Sequence, residues 1–115
     1  MIRKKEELLR EEKSNLRGGR GNIEIAHLIQ GEELKKNASL FSVITIPRDA
    51  SIGEHSHDED YEVYYILKGK GLVTENNAKT EVNEGDVVYT SNGETHAIEN
   101  IGITDLVMLA VVIYE

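Results

Sequence analysis

Cysteine is absent from this 115-residue chain, which excludes a disulfide framework and any thiolate zinc site. That absence suits a reducing compartment. No apolar run approaches the roughly 20 residues that span a bilayer. The opening Met1-Ile2-Arg3-Lys4-Lys5-Glu6-Glu7 lacks the apolar stretch and small-residue cleavage site of a secretory signal. Together these predict a soluble cytoplasmic protein without membrane contact. No period of 20–50 residues suggests a solenoid, and no attached helix-turn-helix suggests a DNA reader. The length suits one domain with a single core.

Basic residues are scarce where the chain is longest. Residues 1–20 carry a net charge of +3, residues 21–115 one of −11. So acidic a body repels nucleic acid, whose binding depends on neutralising phosphates. Arg3 to Leu16 is rich in helix formers with charges at three- and four-residue spacings, which predicts a short N-terminal helix or a flexible arm over residues 1–20. Arg17-Gly18-Gly19-Arg20-Gly21 then breaks any helix.

From Asn22 onward the pattern is β. Strands are predicted at Ile23–Ile29, Ser39–Ile46, Glu62–Leu67, Val87–Tyr89 and Leu106–Ile113, with a hairpin turn at Asn76-Asn77 and one helical turn or loop around Glu32–Lys36. Short strands punctuated by Gly and Asn read as an all-β sandwich or barrel. Leu106–Ile113 is apolar on both faces. One face would line a core, and the other could pack on a second sheet or a second copy of the chain, so a homodimer is expected.

The chemistry gathers in His55-Ser56-His57-Asp58-Glu59-Asp60-Tyr61-Glu62, answered by a distant His96. Strand side chains alternate with period two, so an extended His55-Ser56-His57 puts both imidazoles on one face. A return strand that set His96 opposite them would complete three nitrogen donors and one carboxylate. Such a set suits a divalent transition metal better than calcium or magnesium. Iron or manganese is the first expectation, with zinc, nickel, cobalt or copper compatible. The acidic residues Glu54, Asp58, Glu59 and Asp60 read most simply as a solvated turn.

The spacing also carries a resemblance. His55 to Gly69 reads His-x-His-x4-Glu-x6-Gly, and Gly85 to Asn100 reads Gly-x5-Ser-x-Gly-x2-His-x3-Asn. The two runs resemble the paired signatures of the cupin superfamily. Ser91 stands where a proline is usual, and Asp49 where the first signature opens with glycine. The resemblance implies an all-β double-stranded β-helix, the jelly-roll barrel, over residues 21–115. It implies a metal held inside by His55, His57, Glu62 and His96. Dioxygenases, decarboxylases and isomerases all occur in that superfamily, and so do cupins that only bind or sense a small organic molecule.

Period two from an inward Glu62 turns Tyr64 and Ile66 inward and Tyr65 outward. Tyr64 is therefore the candidate catalytic proton donor. Phe41, Val43 and Thr45 share one strand face and are candidate pocket walls or plain core. His27, outside both motifs, could reach the barrel mouth but reads better as structural. Asn100 is expected to set a turn. Arg48 lies at a strand end, and Arg17 and Arg20 precede the barrel, so no cation is placed inward. That weighs against ligands that are carboxylates or phosphorylated sugars.

Overall fold

A computed structural model describes residues 1–115. Ten strands form two antiparallel sheets. In chain order they are β1 (Leu9–Ser14), β2 (Asn22–His27), β3 (Ala38–Ile46), β4 (Ser51–Ser56), β5 (Asp60–Lys68), β6 (Gly71–Glu75), β7 (Ala78–Val82), β8 (Val87–Thr90), β9 (Thr95–Asn100) and β10 (Leu106–Tyr114). One sheet runs β1-β2-β3-β10-β5-β8 and the other β4-β9-β6-β7. This is the jelly-roll barrel expected of the sequence. Only single 3-10 turns interrupt it, and no helix is long and apolar enough to cross a membrane.

The core lies between the sheets. Alternate residues of β10 (Leu106, Met108, Ala110, Val112) and of β5 (Glu62, Tyr64, Ile66) point inward and are buried. Leu106, Met108, Ala110, Tyr64 and Ile66 meet Ile23, Ile44, Ile46, Ile52 and Ile98 in one cluster. Each fully buried Ile or Leu contributes on the order of 1.5–3 kcal/mol, so this cluster holds the barrel shut. Asn76 and Asn77, with φ of 47° and 70°, make the predicted left-handed turn between β6 and β7. Asn100 also acts as expected. Its amide donates to the Ile46 and Thr104 carbonyls at 2.9 and 2.8 Å, and its side-chain oxygen accepts from the Gly102 N–H at 2.8 Å.

Two expectations are corrected. The segment read as a short helix or flexible arm is a 3-10 turn over Lys5–Glu7 followed by the edge strand β1. Helix propensity loses to six-residue pairing with β2, from Leu9↔His27 to Ser14↔Asn22. On β3 the inward face is Ser42, Ile44 and Ile46, so Phe41, Val43 and Thr45 face outward. Both faces of that strand are apolar, and alternation alone does not say which is inside. His27 is structural, as expected: it is tied up within the sheet, its Nε2 against the Glu11 carboxylate and its Nδ1 3.0 Å from the Ser42 hydroxyl.

Both departures from the resembled signatures have a local cause. Asp49 sits at φ 69°, the left-handed region where glycine costs least and Asp is tolerated. The Ser91 backbone N–H donates to the Glu94 carboxylate at 3.2 Å, a bond that proline cannot make.

Candidate metal centre

Register builds the centre. β4 and β9 pair with His55 directly opposite His96, and β5 carries Glu62 across from Thr90 on β8. His57 follows just after β4 and turns to the same interior side. Its backbone is held by Gly93 N–H donating to His57 O at 2.8 Å. One ligand atom from each of His55, His57, Glu62 and His96 lies within 4.8 Å of all the others, and all but His55 are fully buried. Glu62 Oε1 stands 3.0 Å from His57 Nε2, 2.9 Å from His96 Nε2 and 3.5 Å from His55 Nε2. The Nε2 atoms of His96 and His55 are 2.8 Å apart.

The outward nitrogens fix what the inward ones offer. His55 Nδ1 faces the Gly53 carbonyl at 2.9 Å and His57 Nδ1 faces the Asp60 carboxylate at 2.6 Å. Both partners only accept, so each Nδ1 carries the proton and each neutral ring presents a lone pair on Nε2. His96 Nδ1 meets Thr90 Oγ1 at 2.8 Å. The result is a set of lone pairs and one carboxylate converging on a point, each ring oriented by a partner behind it. Acceptors so gathered need a cation or protons between them. Donors sharing one transition-metal ion at about 2.1 Å and at right angles sit about 3 Å apart, and the separations of 2.8 to 3.5 Å match. The four residues could hold a metal, and their chemistry fits one.

The titration behaviour agrees. Burial is the largest influence on Glu62 and pushes its pKa up. Hydrogen bonds from His55, His57 and His96 more than offset it, and the carboxyl is held well below its usual range. His57 is pushed up from 6.5, by its bond to Glu62 first and against its own burial, with Asp60 adding to the rise. Without a metal, protons take the cation's place.

Comparison with known proteins identifies the frame. The cupin-domain family model matches residues 42–112. The chain belongs to the cupin family. Across 98% of its length this cupin is 42% identical to a Thermotoga maritima protein named "Oxalate-binding protein", covering 93% of that relative. A crystal structure from Thermotoga maritima, titled a predicted oxalate decarboxylase, superposes with a TM-score of 0.95 at 42% identity, each chain covered in full. The cupin domain of Schizosaccharomyces pombe Cnp3 shares the fold at a TM-score of 0.74 and 18% identity, with 91% of this chain and 69% of that one covered.

Beside the four residues this cupin has a cavity of about 220 Å³. Its wall takes Ile25, Leu40, Ile44, Ile52 and Val112 from the sheets. Tyr64 also lines it and lies flat against the His96 ring, centroids 5.0 Å apart and planes 9° from parallel. Burial first, and then the Glu62 charge, push the Tyr64 phenol well above 10, so it stays a hydrogen-bond donor.

Two charged residues of the cavity, Asp60 and Arg17, were not visible in the sequence. Asp60 is no solvated turn residue, since it holds His57 and lines the cavity. Its place three residues after His57, where a tight turn folds it back, was the available signal. Arg17 reaches the same cavity although it precedes the barrel in sequence. It does so because the β1–β2 hairpin carries Leu16 and Arg17 to the cavity. His27 is not in the wall.

Proposed function

We propose that this cupin binds a divalent transition metal, manganese or iron, on His55, His57, Glu62 and His96, and that the metal anchors a small organic acid in the adjacent cavity. The observation that carries this is the convergence of the three Nε2 atoms on Glu62, with the His55 and His57 protons turned outward onto acceptors. A bound metal would supply Lewis acidity at positions the protein leaves free. The cavity sets the ligand's size. At about 220 Å³ it is smaller than the roughly 300–1,000 Å³ of drug-sized sites. A two- to four-carbon acid fits that space. The relative named for oxalate binding supports the same choice of ligand.

Tyr64 supports a second reading, turnover by decarboxylation. A carboxylate that loses carbon dioxide needs a proton at the carbon left behind, and the Tyr64 hydroxyl stays protonated at the cavity wall. Metal analysis after soaking with Mn(II) and Fe(II), followed by calorimetry with oxalate, tests the main reading. Stoichiometric metal and metal-dependent oxalate binding are expected. Equal metal uptake by His57→Ala would sink it. Formate release from oxalate, lost in Tyr64→Phe, separates turnover from binding alone.

A further inference from the structure

The link between β1 and β2 is a built strap. Asn15 N–H donates to the Gly21 carbonyl at 2.9 Å, the Asn15 amide to the Gly19 carbonyl at 3.1 Å, and Ser51 N–H on β4 to the Arg20 carbonyl at 2.9 Å. Backbone meets backbone where it lies on β4. A Cβ on Gly53 would sit 2.0 Å from the Arg17 carbonyl oxygen, and one on Gly19 2.2 Å from that of Ser51. The strap therefore cannot lift from β4 without breaking this seat.

Arg17 stands at its turning point. Its φ of 56° lies in the left-handed region, between Asn15 at 52° and Gly18 at 80°. Glycine would occupy that conformation at less cost. Arg3, Arg10 and Arg20 are each paired with a glutamate, at 2.6, 2.8 and 3.0 Å. Arg17 is exposed and its side chain has no hydrogen-bond or ion-pair partner in the protein; the residue lines the cavity beside His55, His57, Asp60, Glu62 and Tyr64, near enough for its charge to act on the Tyr64 hydroxyl. A divalent ion would offset the Glu62 and Asp60 charges. Arg17 would then be the one net positive charge in the cavity wall.

We propose that Arg17 is the anion anchor of this cavity and that the ligand is a small dicarboxylate. One end would lie toward the metal residues, and the other carboxylate would pair with the guanidinium. Arginine suits the task because its planar fork meets a carboxylate with two parallel hydrogen bonds. The same residue discriminates by charge, since a neutral amide in place of the distal carboxylate forfeits the ion pair. The proposal rests on the metal-anchored reading above and adds its ligand class and specificity residue.

The test is calorimetry on the Mn(II)-loaded full chain with oxalate and with its half-amide, oxamate, metal content being measured before and after. Arg17→Gln should weaken oxalate binding by about tenfold or more, the scale of a charge-assisted pair. Oxamate should change far less, Arg17→Lys should recover part of the loss, and Mn(II) uptake should be unaltered in both variants. Equal oxalate affinity in Arg17→Gln and wild type overturns the anchor, as does an equal loss for both ligands. A wild type that takes up Mn(II) yet binds neither acid also overturns it while leaving the metal site standing. A wild type that takes up no metal overturns the metal reading instead. Thermal protection of that metal-free protein by oxalate, lost in Arg17→Gln, then supports the anchor, and no difference between the two overturns it.

Discussion

Asp60 accepts from His57 Nδ1 at 2.6 Å and so keeps the Nε2 lone pair turned toward Glu62. Asp60→Ala frees the ring to rotate and to change tautomer, and loss of such a partner weakens metal binding about 10- to 100-fold. Competition with a metallochromic dye reads that loss, and circular dichroism should show the fold intact. The raised His57 pKa gives a second expectation. Its protonated form stabilises the metal-free protein fully below pH 6.5, and this contribution is lost as pH rises through the elevated folded value. Metal needs the deprotonated ring, so binding releases a proton and strengthens as pH rises. The rise in melting temperature on adding Mn(II) should thus be larger at pH 8 than at pH 5.5. An equal rise at both would refute a role for His57 as ligand. The four candidate ligands were legible because a strand's period of two and the cupin spacing reveal them without further context. Asp60 and Arg17 were not, because what each does depends on a fold-back that spacing alone does not encode.

Between residue and molecule stands the strap, whose seat on β4 depends on two glycines for different reasons than its turn does. Gly53 has no room for a side chain, as a Cβ there would meet the Arg17 carbonyl oxygen at 2.0 Å. Gly18 has open space around it but a φ of +80°. Gly18→Ala should cost only the backbone strain, about 1 kcal/mol. Gly53→Ala must push the strap off β4 and should cost more, about 1–3 kcal/mol as for other overpacked sites. Denaturant unfolding of the two variants orders them, and a Gly53→Ala protein as stable as wild type would show that the strap is not seated there. Strands β2, β3, β5, β8 and β10 were readable from β-branched runs bounded by turn residues. β1 was not, because Leu9–Ser14 holds four charged residues and draws its strand conformation wholly from its partner. Edge strands of this kind follow the sheet they join. Here that edge matters, since without β1 there is no hairpin to bring Arg17 to the cavity.

At the scale of the whole molecule, the six-stranded sheet covers the core with one face and leaves the other bare. β3, β10, β5 and β8 lie side by side, so their outward residues form one continuous apolar patch. Phe41 and Val43 meet Leu109 and Val111, then Val63, Tyr65 and Leu67, and finally Val87 and Tyr89. Tyr65, Leu67, Val87 and Tyr89 are 41%, 44%, 62% and 58% exposed. A net charge of −8 keeps copies apart at long range, but this face carries few of those charges. The occupant we expect is a second copy of the chain, laid face to face on the same patch about a twofold axis. A stable pair of that kind covers about 800 Å² on each partner. Sedimentation equilibrium should find a dimer. Val87→Glu, which sets a charge within the patch, should give a folded monomer that still takes up Mn(II), because the metal residues all lie on the other side of the sheet or across the barrel. A wild type that sediments as a monomer at every concentration would refute the dimer. A Val87→Glu dimer as tight as wild type would move the interface elsewhere.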